Sequence, residues 1–281
     1  MRGAETGKKT EYSCLTNMLI ILPAAALGVL AMIADGVSTA LWGQQAAALV
    51  VFLLLSLPCR KRKWTPAPLW MTVFLLALAA TLLLPAVGGA RRWLDLGIFN
   101  VNAAMLVLPA LLIGFGGMRR FYPLLLCSAA VLCMQPDLSQ LTALAAASLP
   151  LLWRGRKERA WCALSVIALA ALMLVCVNIP TAIEPVDYCE NILHMLGEIS
   201  PLLMAAGTIT LAAIPGFWAY RSVKMRDAGM LSLAVYYASV MFFGLSGEYP
   251  MPVMGFGLSP IAGYFLACML MPQTQESTST E

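Results

Sequence analysis

The stretch LTNMLIILPAAALGVLAMIA, residues 15–34, decides the class of fold. It carries no charged residue, and a helix of roughly 20 apolar residues crosses a bilayer core about 30 Å thick. The stretch also lacks a clear small-residue cleavage site. We therefore interpret it as a retained first membrane span and not as a removed signal peptide.

The rest of the chain repeats this pattern. Of the 281 residues, 60% are hydrophobic and 11% are charged, whereas soluble domains carry about 25% charged residues. We predict an all-α polytopic membrane protein with about ten transmembrane helices. Apolar runs bounded by charge, proline or glycine place the spans near 15–34, 39–58, 67–87, 98–117, 121–135, 138–153, 160–179, 199–219, 229–246 and 255–271.

Two predicted spans are short, and they flank Gln135-Pro136-Asp137. This predicts tilted or broken helices that meet at that turn. The predicted organisation is a cytoplasmic tail over 1–14, a single transmembrane domain over 15–272, and a polar, disordered cytoplasmic tail over 273–281. Eight scattered cysteines without a C-x-x-C pair support neither a disulfide framework nor a zinc site.

The basic residues set the predicted orientation. Sixteen of the 18 fall in loops on one side of the ten predicted spans, which predicts an inner-membrane protein with both termini in the cytoplasm. Because these residues lie in short loops between spans, nucleic-acid binding is not expected. The inside set is Arg2, Lys8, Lys9, Arg60, Lys61, Arg62, Lys63, Arg119, Arg120, Arg154, Arg156, Lys157, Arg159, Arg221, Lys224 and Arg226.

The two exceptions, Arg91 and Arg92, lie on the predicted outer face beside Trp93. Two guanidiniums can grip phosphate oxygens, and an indole sits naturally at headgroup level, so a diphosphate headgroup would fit here. The alternative is that these residues contact ordinary lipid phosphates and belong to an aromatic belt.

Two outer carboxylates are further candidates. Asp137 is expected to cap the sixth span, after the break that Pro136 imposes. Asp187 and Glu190 have capping-box spacing, so Asp187 is either a helix cap or a general base. The segment 188–197 is predicted to be a separate short helix, with Ser200 and Pro201 starting the next one.

The order of these motifs resembles the SEDS family of RodA/FtsW-type cell-shape and division proteins. The matching motifs are G-A-R-R-W-L-x-L-G at 89–97, Q-P-D-L at 135–138, V-D-Y at 186–188 where the family has a T-D-F-like segment, and the Pro/Gly-rich loop at 247–260 before the last span.

The resemblance implies a peptidoglycan glycosyltransferase that polymerises lipid II with a partner penicillin-binding protein transpeptidase. It implies that Asp187 is the catalytic acidic residue and that Arg91, Arg92 and Trp93 bind the lipid-linked diphosphate. Gln135 and Asp137 of the Q-P-D-L motif are further predicted substrate-binding residues. Membrane lipids are expected partners, no cofactor is certain, and a divalent cation is one candidate to assist the arginines.

Two departures from the family pattern keep alternatives open. The family's acid and lysine after the R-x-W motif are replaced here, with Leu106 in the place of the lysine, and only residues 179–186 separate the seventh span from Asp187. These departures favour a non-catalytic relative that serves as a scaffold or regulator of a cell-wall complex. A flippase for lipid-linked precursors is the third alternative, favoured by a broken helix at 135–137 but without a visible inverted repeat.

Overall fold

The computed structural model describes residues 14–61, 68–87, 89–95, 97 and 100–271. This part of the chain is helical apart from one small hairpin and the connecting loops. The helices are α1 (Cys14–Ala34), α2 (Thr39–Ser56), α3 (Pro68–Ala80), α4 (Ala103–Gly117), α5 (Tyr122–Met134), α6 (Leu138–Arg154), α7 (Arg159–Cys176), α8 (Asp187–Glu190), α9 (Ile192–Ile199), α10 (Pro201–Met225), α11 (Ala228–Gly244) and α12 (Leu258–Leu270).

The predicted all-α class is confirmed, and within the described residues each predicted span corresponds to one of the longer helices. Four helices (α1, α2, α7 and α10) are long and apolar enough to cross a membrane. The short helices α5 and α6 meet at the predicted break. The number of crossings and the orientation stay predictions. The tails are predicted over 1–14 and 273–281; residues 1–13 and 273–281 lie outside the described residues, and Cys14 begins α1.

The centre of the bundle is built from α4, α6, α11 and α12. Nearly every residue of α4 is buried, whereas only 17% of the apolar window of α7 is buried inside the protein. The helices approach closely where small residues face one another. At Gly263 of α12, an added Cβ would lie 2.1 Å from the backbone oxygen of Met105 in α4. A larger residue there would push these two central helices apart.

The fourth predicted span begins later than expected. The sequence predicts a helix from residue 98, but β1 (Trp93–Asp95) pairs antiparallel with β2 (Asn100–Asn102) before α4 starts. Asn102 then caps α4, because its Oδ1 accepts a hydrogen bond of 3.0 Å from the N–H of Met105. An asparagine at this position favours a helix start over a helix interior.

The eighth predicted span extends beyond its expected end. We predict a cytoplasmic loop after residue 219, but α10 continues to Met225 and Arg221 is buried within it. The Arg221 guanidinium donates a 2.7 Å hydrogen bond to Oδ1 of Asn17 in α1 and lies 5.6 Å from the Trp218 ring centroid. Arg221 thus joins two helices inside the bundle and does not lie in a solvated loop.

Candidate functional site

A polar cavity lies at the end of the bundle that the sequence predicts to face outward. Its volume is about 100 Å³, and more of its surface is polar than apolar. It collects residues from segments far apart in the chain: Arg92, Trp93, Asn102, Met105, Asp137, Ser139, Gln140, Thr181, Ile183, Glu190, Glu248, Tyr249 and Pro250.

Arg92 is held in the wall of this cavity. The hairpin fixes its backbone, because the carbonyl of Arg92 accepts a hydrogen bond of 3.1 Å from the N–H of Ala103 at the start of α4. Its Nε lies 3.5 Å from Oδ2 of Asp137, and its guanidinium also donates to the carbonyl oxygen of Pro136. The R-R-W and Q-P-D motifs, which the sequence separates by more than 40 residues, therefore meet here.

Asp137 is a helix cap, as predicted, and it is also buried. It caps α6, since its Oδ1 accepts from the N–H of Gln140 at 3.3 Å and from the hydroxyl of Ser139 at 2.9 Å. Its side chain is only 2% exposed, and the ion pair with Arg92 offsets the cost of burying its charge. Oδ1 is thus committed to the helix terminus, while Oδ2 faces the arginine.

Gln135 and Arg91 do not line the cavity. Gln135 is buried, and its amide donates to the carbonyl of Leu78 at 2.9 Å and to the hydroxyl of Thr81 at 2.5 Å. It therefore joins the end of α5 to the end of α3. Arg91 is exposed and donates to the carbonyl of Leu82 at 3.0 Å. Of the two arginines predicted to bind the diphosphate, only Arg92 faces the cavity.

Trp93 forms a boundary between two environments. It lines the polar cavity and also a neighbouring pocket of about 350 Å³ whose other lining residues are Leu84, Pro85, Val87 and Asn100. Most of that second pocket is apolar. An amphipathic ligand could place its polar part beside Arg92 and an apolar part across the indole.

The short helix α8 turns Glu190, and not Asp187, toward the cavity. Asp187 is exposed, and its Oδ1 accepts a 2.9 Å hydrogen bond from the side-chain amide of Asn191. The expectation that Asp187 caps this helix is wrong, because the N-cap is Val186 and Asp187 is the first helical residue. Glu190 closes the turn instead, with its Oε2 accepting from the Val186 N–H at 2.7 Å.

Glu190 lies in a less solvated environment than Asp187. Burial raises the pKa of the Glu190 carboxyl above its ordinary value, and the nearby Asp187 charge raises it further, while the hydrogen bond from the Val186 N–H lowers it. A carboxyl with a raised pKa is better matched to proton transfer near neutral pH than an ordinary one. The short helix predicted over 188–197 is present as two helices, α8 and α9, on either side of Asn191, and the predicted cap at Ser200 with Pro201 is confirmed.

The loop that follows α11 packs against α8 and donates hydrogen bonds to its backbone. The N–H of Met251 donates to the carbonyl of Cys189 at 3.0 Å, and that of Phe256 donates to Tyr188 at 2.9 Å. At Gly255 an added Cβ would lie 2.2 Å from the Cys189 oxygen, so only glycine allows this approach. Irregular backbone at membrane depth is tolerated where protein covers it, and here α8 provides part of the cover.

The charges in the cavity are one guanidinium, from Arg92, and three carboxylates, from Asp137, Glu190 and Glu248. Within the described ranges, no group of three or more His, Cys, Asp or Glu side chains is placed to hold a metal ion. These residues therefore do not form a metal site by themselves. The chemistry available is anion binding by Arg92 and proton transfer by a carboxylate.

Comparison with solved structures identifies the architecture. The rod shape determining protein RodA of Thermus thermophilus aligns with a TM-score of 0.59 and 16% identity, over 93% of this chain and 97% of that one. The chain has the RodA fold. An aspartate-to-alanine variant of the same protein aligns with a TM-score of 0.60. A chain from a peptidoglycan synthase complex, described for its coordination of polymerization and crosslinking, aligns with a TM-score of 0.58 and 15% identity.

The RodA fold confirms the SEDS resemblance at the level of architecture. No known protein family and no curated protein matches this chain, so the solved structures carry the comparison. The likeness extends over most of both chains and is not confined to a part of the bundle.

Sequence reasoning missed several cavity residues of this RodA-type fold. Glu248 and Tyr249 come from the last outer loop, and Ser139 and Gln140 come from the first turn of α6. A polar pair directly after the Asp137 cap was a usable signal, because first-turn side chains of a capped helix surround the cap. Nothing in the spacing shows that Glu248 reaches across the bundle.

Proposed function

We propose that this chain is a SEDS-type protein of peptidoglycan synthesis in the bacterial inner membrane, and that its polar cavity binds the diphosphate of lipid II. The observation that carries this proposal is the buried Arg92 in the cavity of a RodA-type fold, where Trp93 separates a polar from an apolar pocket.

The two pockets match the two parts of a lipid-linked precursor. A guanidinium offers bidentate donors to diphosphate oxygens, and a charged hydrogen bond is strong in a site with little water. The pocket of Leu84, Pro85 and Val87 offers an apolar surface for the first part of a prenyl chain. Before the anion binds, Asp137 holds the guanidinium of Arg92 in place. Asp137 also competes with the anion for this guanidinium.

Two carboxylates compete for the role of base in glycosyl transfer. The resemblance assigns this role to Asp187, which is exposed, while Glu190 faces the cavity three residues later on α8. The base would take the proton of the acceptor sugar hydroxyl as this oxygen forms the new glycosidic bond. Arg92 would stabilise the negative charge that develops on the leaving diphosphate.

A penicillin-binding protein transpeptidase is the proposed partner. One structural neighbour comes from a complex that is described as coordinating polymerization and crosslinking. Glycan strands form a wall only when a transpeptidase crosslinks them, and the described residues contain no domain outside the helical bundle that could do so. Among the described residues, the chain between the longer helices forms only short loops, a hairpin and the helices α8 and α9.

The test is extension of glycan strands from lipid II by the purified protein, alone and with a candidate penicillin-binding partner. Wild type should extend strands, and Asp187→Ala should abolish extension. Glu190→Gln should change the pH dependence of glycan extension, because this substitution removes the only α8 carboxyl that faces the cavity. Failure of wild type to extend glycan under several metal conditions would remove the polymerase claim and leave the lipid-binding claim standing.

A non-catalytic scaffold is the second candidate, and the exposed position of Asp187 outside the cavity favours it. The family's acid and lysine are also replaced here, by Ala103 and Leu106, and this loss favours the scaffold as well. On this reading, cells that carry Asp187→Ala grow with normal shape. Cells in which both Arg92 and Asp137 are replaced do not, because the lipid-binding cavity is lost.

A further inference from the structure

A third pocket, distinct from the polar cavity and from the apolar pocket beside Trp93, lies at the opposite end of the bundle from the polar cavity. Its volume is about 560 Å³, within the usual range of roughly 300–1,000 Å³ for ligand sites. Helix α5 begins beside it at Tyr122 and ends at Met134, next to the polar cavity. The length of this helix puts the two sites about 20 Å apart. The pocket is lined by Arg120, Tyr122, Pro123, Glu158, Arg159, Ala160 and Trp161.

The wall of this pocket is a fixed aromatic pair. The rings of Tyr122 and Trp161 stack with centroids 5.8 Å apart and planes 13° apart. Tyr122 is buried and its hydroxyl donates to the carbonyl of Gly155 at 3.3 Å, which holds the ring in place. Trp161 is 44% exposed, and nearby Trp153 is 72% exposed. Exposed tryptophans at a helix end mark the level of lipid headgroups.

Among the four long apolar helices of the described residues, the pocket opens beside the one that protein covers least. Trp161 belongs to α7, of whose apolar window only 17% is buried. The outer surface of α7 presents large apolar side chains that are half or more exposed, including Val166 and Ile167. A ligand that sits in the pocket would therefore have its neighbouring apolar surface along α7, where acyl chains lie in a bilayer.

The charge around the pocket is positive. Arg120 and Arg159 line it, and Arg119, Arg156 and Lys157 are exposed in the two adjoining loops. Glu158 is the only acidic residue of these loops, and its Oε1 lies 3.9 Å from Nε of Arg119. Arg154 keeps its positive charge but does not line the pocket, and its guanidinium donates to the carbonyls of Gly116 and Met118. The remaining cations leave a strong excess over the one carboxylate.

We propose that this pocket binds the headgroup of an anionic phospholipid. Arg120 and Arg159 hold the phosphate, Tyr122 and Trp161 flank the glycerol, and the acyl chains follow α7. Basic pockets between membrane helices on the cytoplasmic side suit such headgroups, and the distribution of lysine and arginine predicts that this end is cytoplasmic. The proposal is independent of peptidoglycan synthesis.

The experiment is native mass spectrometry of the purified full chain with phosphatidylglycerol or with phosphatidylcholine of the same acyl chains. Wild type should retain phosphatidylglycerol far better. The double variant Arg120→Gln/Arg159→Gln should bind it about twentyfold more weakly, from the loss of two basic groups at an anionic headgroup. The matched control Arg156→Gln/Lys157→Gln removes the same charge outside the pocket lining and should leave binding nearly unchanged.

Three outcomes would overturn the proposal. An equal loss in both double variants would show diffuse surface attraction, and equal retention of phosphatidylcholine would show no headgroup selection. Displacement of the lipid by inorganic phosphate alone would identify a soluble anion as the ligand. All four substituted residues are exposed, so the variants should fold. Arg120→Lys/Arg159→Lys, which keeps the charge but loses the planar fork, should bind with intermediate strength.

Discussion

Replacing Asp137 by asparagine should strongly destabilise the protein, and replacing Arg92 as well should restore most of the loss. The side chains of Arg92 and Asp137 are only 10% and 2% exposed, and their Nε and Oδ2 atoms lie 3.5 Å apart. At an effective dielectric constant of about 20 their attraction is about 5 kcal/mol before desolvation. Asp137→Asn keeps the Oδ1 that caps α6 but leaves Arg92 buried without its counter-charge, which costs about 3–5 kcal/mol.

The double variant Arg92→Gln/Asp137→Asn removes both buried charges, and such replacements are often close to neutral. We expect a coupling free energy of at least about 2 kcal/mol in the double-mutant cycle. The measurement is the free energy of unfolding of the four proteins in a detergent titration. A loss below about 1 kcal/mol for Asp137→Asn, or single effects that simply add, would refute a buried ion pair at this site.

Two further predictions test the support of the site. Gly255→Ala should lower the free energy of unfolding by about 1–3 kcal/mol, because its Cβ would lie 2.2 Å from the Cys189 oxygen. The control Gly216→Ala meets nothing within 4 Å and should be neutral or stabilising; equal effects in thermal unfolding would contradict the close approach. Burial raises the pKa of Glu190 in the folded protein, so the folded state binds this proton more tightly and stability falls as pH rises between the unfolded and folded pKa values. Glu190→Gln should therefore gain stability relative to wild type as the pH rises above the ordinary glutamate pKa of about 4.3, and a difference that stays constant with pH would contradict the raised pKa of this carboxyl.

Much of the architecture follows from local sequence. A bilayer forces every backbone polar group into a helix or a covered loop, so apolar runs bounded by charges give the helices with small errors at their ends. The break at Gln135-Pro136-Asp137 is also local, because proline disfavours the helix before it and aspartate caps the helix after it. The hairpin at 93–102 was missed, since its strands are only three residues long and lie beside an apolar run.

The site was predicted only in part, because its contacts join distant segments. The sequence placed Arg92, Trp93 and Asp137 at one end of the bundle, but it could not show that Arg92 enters the cavity while Arg91 stays exposed. The N-cap of α8 is Val186, one residue before the expected Asp187, and Glu190 rather than Asp187 faces the cavity. Which side of a short helix faces inward depends on packing, which no local pattern encodes.

The most direct test of this account is binding of lipid II to purified Arg92→Gln/Asp137→Asn, compared with wild type and with Arg91→Gln. The double variant keeps the buried charge balanced, and Arg91→Gln removes one positive charge outside the cavity lining. We predict that the double variant folds but loses lipid II binding, whereas Arg91→Gln binds almost as well as wild type. Undiminished binding by a folded double variant would contradict the assignment of this cavity to the lipid-linked diphosphate.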